Sequence, residues 1–364
     1  MSLRKATVIT GFLGSGKTTL LNQMLVHPQN ARSAVLVNEF GEVGIDNHLL
    51  RFTSERVAVV AGGCICCSVR EDIEEAVRHL LEQEEEGVIP PFEHLYVETS
   101  GLADLAPLIQ TFQSSPVLRS RFELTNVVAT VDATLGTETL NRFTDAARQV
   151  ALADVVIVTK TDLCDAPGHV ERLAAEIKAV NADAKVLVPK TLERHEVVSM
   201  LLDEVRAARN MEPVRNLSGT RVHLLDTGIT SFGLVIEQPL DWTAFGVWLT
   251  WMLHRHGSDV LRVKGLLWVS QSESGPVEFH AVQHMVFPPK HHSEWGATPQ
   301  QSQLTFIVNN LEPSLIERSL RVFMRLAGEK GLGNEGRNAA MPLGAGRSIG
   351  GRPVRRPGAP RWMK

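Results

Sequence analysis

Three of the chain's four cysteines fall within four positions, Cys64, Cys66 and Cys67 of G-G-C-I-C-C-S-V-R (62–70). Three sulfurs from one loop can occupy a single metal's coordination sphere while its fourth position stays open or is filled from elsewhere. Thiolates favour Zn²⁺ or Cu(I) over Mg²⁺ or Ca²⁺. Ser68 and Glu71 form a capping-box pattern, so a helix is expected to start just after Cys67. Its positive end would favour thiolate at Cys66 and Cys67. Two other readings compete, a redox pair and inert buried thiols. A redox pair usually has two intervening residues and buried cysteines rarely crowd this way, so metal is preferred. Cys164 reads as a plain loop or core cysteine.

A second constellation lies near the amino end. V-I-T-G-F-L-G-S-G-K-T-T-L-L (8–21) fits G-x-x-x-x-G-K-[ST] at Gly11, Gly16, Lys17 and Thr18. A β-rich run precedes it and a helically spaced run follows, the context in which such a loop cradles phosphates. Glycines let successive N–H groups face a phosphate chain, and the helix N-terminus adds partial positive charge. Lys17 would reach the β- and γ-phosphates and the Thr18 hydroxyl would ligate Mg²⁺. L-Y-V-E-T-S-G (95–101) ends a strand with Glu98, an acid placed to hold Mg²⁺, and puts Gly101 where its N–H can sense a γ-phosphate; the alternative is an acid that caps the next helix.

T-K-T-D (159–162) departs from the guanine motif N-K-x-D only at its first position. The Asp162 carboxylate can accept from both N1–H and the 2-amino group of guanine, donors that adenine lacks. The Lys160 stem can stack along the base. Thr159 replaces an amide that braces the pocket. V-N-E-F-G-E-V-G-I-D (37–46) sets Glu39 and Glu42 after the second strand. Their carboxylates have three readings: metal ligand, helper at the γ-phosphate, or solvated. Glu39 is taken as an occasional metal neighbour.

These residues need a frame. The chain has 364 residues, 43% hydrophobic and 21% charged, the profile of a globular protein with room for two domains. Near-continuous apolar runs at 34–39, 94–99, 126–132, 154–160 and 184–189 suit strands buried on both faces of a parallel sheet. Helical segments are expected at 71–86, 101–113, 138–153, 167–180 and 194–209. The alternation predicts an α/β fold, a doubly wound, mostly parallel sheet over 1–210, with ligands beyond the strands' carboxyl ends. The strand-end residues Asn38, Glu39, Glu98, Asp132, Lys160 and Asp162 are therefore the ones to watch. A linker is expected at 211–220, then a smaller α+β domain at 221–327.

Formal net charge is -4, which excludes a molecule-wide nucleic-acid footprint. Residues 328–364 carry eight Lys/Arg against Glu329 and Glu335, so this Gly-, Arg- and Pro-rich tail is basic and expected to be disordered. No segment approaches the roughly 18–20 apolar residues of a membrane helix. The first ten residues run straight into the glycine-rich loop, so no signal peptide is expected. Clustered thiols without an export signal predict a reducing, cytoplasmic setting.

Taken in order, G-F-L-G-S-G-K-T-T-L-L-N-Q-M-L, V-N-E-F-G-E-V-G-I-D, G-G-C-I-C-C-S-V-R, V-E-T-S-G-L-A-D-L-A-P-L-I-Q-T-F, V-A-T-V-D-A and T-K-T-D-L resemble the motifs of CobW-like GTPases of the CobW/HypB/UreG group. L-R-V-K-G-L-L-W and Trp295-Gly296 look like that group's C-terminal domain. The resemblance implies a GTPase metallochaperone that binds Zn²⁺, or Co²⁺ in some members, through C-x-C-C and delivers it to a client apoprotein. It implies phosphate and Mg²⁺ contacts from Gly11, Gly14, Ser15, Gly16, Lys17, Thr18 and Thr19. It assigns metal to Cys64, Cys66 and Cys67, and guanine to Thr159, Lys160 and Asp162. The client apo-metalloprotein is expected to dock on the switch loops and the C-terminal domain. Neither nucleic acid nor membrane is an expected partner. The chain is expected to be a monomer or a nucleotide- or metal-dependent dimer. The absence of a long His-rich run tilts the cargo toward zinc. A cobalt-handling or nitrile-hydratase-activating relative and a passive zinc store with structural nucleotide remain open.

Overall fold

The structure, a computed structural model, describes residues 3–30, 32–38, 57–62, 69–164, 166–189, 222–223, 227–270, 275–296 and 299–332. Glu39, Glu42, Cys64, Cys66, Cys67, Ser68, the helix expected at 194–209, the linker and the tail beyond 332 lie outside them.

The first unit is a seven-stranded sheet, parallel throughout. Its strands are β1 (Arg4–Gly11), β2 (Ser33–Asn38), β3 (Val57–Gly62), β4 (His94–Glu98), β5 (Phe122–Asp132), β6 (Val155–Thr159) and β7 (Lys185–Leu187), ordered β3-β2-β4-β1-β5-β6-β7. Its helices are α1 (Lys17–Val26), α2 (Val69–Glu85), α3 (Leu105–Ser114), α4 (Pro116–Arg121), α5 (Gly136–Arg142), α6 (Thr144–Leu152) and α7 (His169–Val180). Alternate strand residues face opposite layers, as the two-residue strand period demands. Ala6, Val8, Leu95 and Val97 join a core with α2, α3, α6 and α7, whereas Ile9 and Tyr96 join one with Leu20, Leu21 and Met24 of α1. Burial on both faces is why these strands are apolar along their length.

Two elements go beyond the sequence expectations, β3 and α4. Ser115 caps α4 by accepting from the Leu118 N–H at 3.3 Å, with Pro116 in its first turn. The helix expected at 138–153 is two helices broken at Phe143, whose backbone is extended (φ -114°, ψ 111°). No Pro or Gly causes the break. The Phe143 ring stacks on Phe12, centroids 4.7 Å apart, so a tertiary contact overrides local propensity.

The second unit is antiparallel. Its strands are β8 (Val222–His223), β9 (Ile229–Ile236), β10 (Val260–Leu267), β11 (Val277–Val282), β12 (Met285–Val286), β13 (Lys290–His291) and β14 (Ser302–Asn309), ordered β12-β11-β10-β14-β9-β8 with β13 on β11. Helices α8 (Trp242–His256) and α9 (Pro313–Leu332) cover one face. Trp248 is fully buried there, and its Nε1–H donates to Ser319 Oγ at 2.9 Å.

The other face of this sheet meets the first unit. Ile229, Leu261, Val282 and Ile307 belong to the same core cluster as α6 and α7. A register shift between Val260 and Arg262 lets both Leu261 and Arg262 reach across, the re-aiming a bulge provides. Arg262 donates to Leu152 O and to Asp154 Oδ1, and Lys264 Nζ donates to the same oxygen at 2.9 Å. Asp154 Oδ2 accepts from the Val127 N–H at 2.9 Å.

Asp154→Ala takes the carboxylate from the buried Arg262 and the partly buried Lys264. The expected loss is about 3–5 kcal/mol, the cost of breaking a buried ion pair from one side. All six tryptophans lie at or beyond position 242, so urea denaturation followed by tryptophan fluorescence reads the second unit. A loss below about 1 kcal/mol, the range of exposed pairs, would show that the contact between the units does not depend on this triad.

Candidate nucleotide site

The carboxyl ends of four central strands form a row. Ile9 pairs with Glu98, Gly11 with Thr130, and Asp132 with Thr159. The glycine-rich loop leaves β1 at this row and enters α1. Gly11 has φ 141°, and a Cβ there would lie 2.3 Å from Thr130 Oγ1 and 2.6 Å from Ser15 Oγ. Only glycine fits. Ser15 and Thr130 hydroxyls bond each other at 2.7 Å, fastening the loop to β5. Gly14 (φ 70°) and Gly16 (φ 93°) complete the curl, and Gly16 is the N-cap of α1.

Lys17 is buried and folds back into the loop, its Nζ donating to Gly11 O at 2.9 Å and Phe12 O at 3.2 Å. The ammonium is thus held in the hollow by the loop's own carbonyls. Thr18 Oγ1 donates to Glu98 Oε1 at 2.5 Å, and Glu98 is 4% exposed. A hydroxyl and a carboxylate, two hard oxygen donors side by side next to a phosphate cradle, fit Mg²⁺. Thr19 is exposed in the first turn of α1.

The loop after β4 presses on the phosphate loop. Thr99 Oγ1 donates to Thr10 Oγ1 at 2.9 Å. A Cβ on Gly101 would stand 2.6 Å from Leu13 N, so the two loops meet backbone to backbone. The chain turns into α3 only at Asp104, whose side chain accepts from the Ala106 N–H at 3.0 Å. The helix therefore begins later than the 101 expected from spacing, which leaves Gly101 in the loop.

The end of β6 supplies the third wall. Thr159 Oγ1 donates to Ser15 O at 2.6 Å, so this threonine braces the phosphate loop although it lacks the expected amide. Lys160 takes a left-handed conformation (φ 55°), and its Nζ donates to Asp132 Oδ2 at 2.6 Å. Thr134 donates twice to Asp132 Oδ1, both at 2.7 Å. Burial pushes the Asp132 carboxyl up, but these hydrogen bonds and the Lys160 charge outweigh it and hold the group below its ordinary value. Asp162 is exposed on the turn Thr161–Leu163.

Lys17, Thr18, Glu98, Gly101, Thr159 and Lys160 thus converge on one edge, with Asp162 at its rim. Asp132 is among the strand-end residues to watch, but its pairing with Lys160 appears only once β5 and β6 are neighbours. Gln149, which donates to Gly101 O at 3.0 Å, carried no sequence signal. The cysteine loop lies outside the described residues, but its flanks do not. Asn38 pairs with Gly62, one step beyond the Val37–Glu98 pairing, and α2 starts at Val69. Residues 63–68 therefore leave and rejoin the described chain at β3's carboxyl end and the start of α2.

Residues 5–188 match the CobW/HypB/UreG nucleotide-binding domain, and residues 229–324 match the cobalamin synthesis protein CobW C-terminal domain. The chain is 34% identical to the zinc chaperone YjiA of Escherichia coli over 83% of its own length and 92% of that protein's. It is 31% identical to the zinc-regulated GTPase metalloprotein activator 1 of Schizosaccharomyces pombe, over 54% of this chain and 48% of that one. Its fold matches the crystal structure of Zn(II)-bound YjiA GTPase with a TM-score of 0.70 at 28% identity, covering 89% of this chain and 99% of that one. With both units matched and the phosphate loop at their expected edge, the chain belongs to the CobW/HypB/UreG family of P-loop GTPases, in the form that carries a CobW C-terminal domain.

Proposed function

We propose that this chain hydrolyses GTP and uses the cycle to bind and hand over Zn²⁺. One observation carries the reading. The strand ends that flank the cysteine loop are in register with the strand ends that carry the phosphate machinery. Strands lie about 4.8 Å apart, so the end of β3 is three spacings, roughly 14 Å, from β1. Cys64 follows Gly62 by two residues, a reach of up to about 7 Å.

Lys17 and the loop's N–H groups hold the phosphates. Thr18 and Glu98 would hold Mg²⁺, which would supply charge neutralisation at the phosphates. Gly101 faces the γ-phosphate. Asp162 reads the guanine edge, Lys160 lies along the base, and Thr159 keeps that wall joined to the phosphate loop. The Asp132 carboxylate holds the Lys160 ammonium.

Zn²⁺ is cargo. Cys64, Cys66 and Cys67 are its ligands, with Glu39 a neighbour and the positive end of α2 favouring thiolate. Co²⁺ is an alternative cargo for the same set. A client apo-metalloprotein receives the metal, docking on the switch loops and the C-terminal unit. Among the described residues no helix is long and apolar enough to cross a membrane. The thiolates need a reducing compartment, so we place the chain in the cytoplasm.

If the two sites are coupled, GTP must tighten metal by the factor by which metal tightens GTP, typically about 5–150-fold. Chelator competition for Zn²⁺ and Co²⁺ with GTPγS, GDP and no nucleotide measures it. Replacing Cys64, Cys66 and Cys67 with Ser should abolish tight binding in every state. Equal affinities across nucleotide states would leave a passive store.

Guanine reading has its own test. Asp162→Asn exchanges an acceptor for a donor, so GTP affinity should fall about 10–100-fold, the worth of a good bidentate base contact. Xanthosine triphosphate, which offers an oxygen where guanine has its amine, should gain. Titration with fluorescent analogues of both nucleotides decides it, and unchanged GTP affinity would remove Asp162 from the site.

A further inference from the structure

Gln149 sits in the second half of α6 and is 2% exposed. Its Nε2 donates to Gly101 O at 3.0 Å and to Ala103 O at 3.2 Å. Both partners are acceptors, so chemistry fixes the orientation of the amide. Its Oε1 accepts no hydrogen bond from the protein. Gln149 lines a cavity of about 40 Å³ beneath the phosphate loop, with Phe12, Ser15, Thr130 and Asp132, enough for a water. A buried amide with one end unsatisfied is costly, and an apolar side chain of the same length would pack without that cost. What the glutamine supplies is donation to the two carbonyls.

Those carbonyls belong to the loop that meets Leu13 backbone to backbone. Gly101 has the freest backbone of any residue type. A hydrogen bond to its carbonyl, and a second to Ala103 two residues on, tie the backbone of the 101–103 segment to α6 and restrict its rotation beside the phosphate loop. The anchor is itself fastened at both ends. Phe143, just before α6, stacks on Phe12, and Leu152 O at the end of α6 accepts from Arg262. Asn181 Nδ2 donates to Val150 O, Ala151 O and Ala153 O within 3.0 Å.

We propose that Gln149 is a positioning residue for GTP hydrolysis, holding the Gly101 loop in the one arrangement that meets the γ-phosphate. The proposal rests on the GTPase reading above and adds to it a residue that touches neither nucleotide nor metal. GDP lacks the group that Gly101 senses, so the contribution of Gln149 appears with GTP and is absent with GDP.

The full-length protein carrying Gln149→Met keeps the side chain's length and loses its donors. Its affinity for a fluorescent GDP analogue should stay within about twofold of the wild type. GTPγS affinity and single-turnover GTP hydrolysis should each fall about tenfold, the size of losing buried hydrogen bonds. Gln149→Glu gives an independent readout. Burial against two carbonyl oxygens pushes that carboxyl up, and its neutral form donates an O–H to one of them. Its GTPγS-over-GDP preference should therefore recover as pH falls through about 7 to 5, where a buried glutamate is neutralised, while the wild-type preference stays level.

Parallel loss of GDP and GTPγS affinity together with thermal stability, without recovery at low pH, is the mark of a merely structural glutamine and overturns the proposal. An unchanged GTPγS-to-GDP ratio in Gln149→Met also overturns it. Should that variant not fold, the pH profile of Gln149→Glu decides. A wild-type protein that hydrolyses no GTP fells the GTPase reading and this proposal together. Normal wild-type hydrolysis with an indifferent Gln149→Met fells this one alone.

Discussion

A single methyl group at position 11 would stand 2.3 Å from the Thr130 hydroxyl, and the phosphate loop could not close. The approach of β1's end to β5 is the constraint from which the site follows. It brings the Ser15 and Thr130 hydroxyls to 2.7 Å. It sets the Ser15 carbonyl where Thr159 can donate to it at 2.6 Å. It leaves a hollow whose own carbonyls hold the Lys17 ammonium. Each contact is short-ranged, and each depends on strand ends that a parallel register holds level. Threonine at position 159 is accordingly more than a lost amide, because its hydroxyl ties the end of β6 to the phosphate loop.

Helix α6 carries that constraint away from the loop. It starts beside the Phe12–Phe143 stack, holds the Gly101 loop at its centre through Gln149, and ends on a carbonyl bonded by Arg262. Two residues further on, Asp154 takes Arg262 and Lys264 on one oxygen and the β5 backbone on the other. The second unit's sheet thus leans on the helix that backs the phosphate loop. The contact mixes apolar residues with charges that compensate each other only while the two units touch. Such an interface is stable when complete and expensive when one partner is withdrawn.

How much of this was legible in the chain differs by residue, for physical reasons. The phosphate loop could be read because one short segment carries every group it needs. The strands could be read because burial on both faces forces a continuous apolar run. Phe143 could not be, because L-N-R-F-T-D-A-A contains no helix breaker and the break is made by a ring 131 positions earlier. Gln149 could not be, since a glutamine in a helix is neutral by propensity and its partners lie 48 and 46 residues away. Asp132 and Lys160 were each conspicuous at strand ends, but pairing them needs the β5–β6 neighbourhood. The cysteines announce themselves by composition, while their relation to the nucleotide is a matter of strand order.

That strand order limits how metal and nucleotide can influence each other. The sheet between them is buried on both faces at β4 and β1, and a close-packed core does not deform by fractions of an ångström in proportion to a distant signal. On the proposed reading, coupling would run along the carboxyl edge, where β2, β3 and β4 end. There Asn38, Gly62 and Glu98 stand on three adjacent strands within one step of register. Glu98 is tied to Thr18 on the phosphate side, so it is the described residue that stands between the two chemistries. The ends of β2 and β3 lie one and two strands from Glu98, which Thr18 at the start of α1 bonds. The second unit meets the first at α6 and Asp154, on the other side of β1 from β2 and β3.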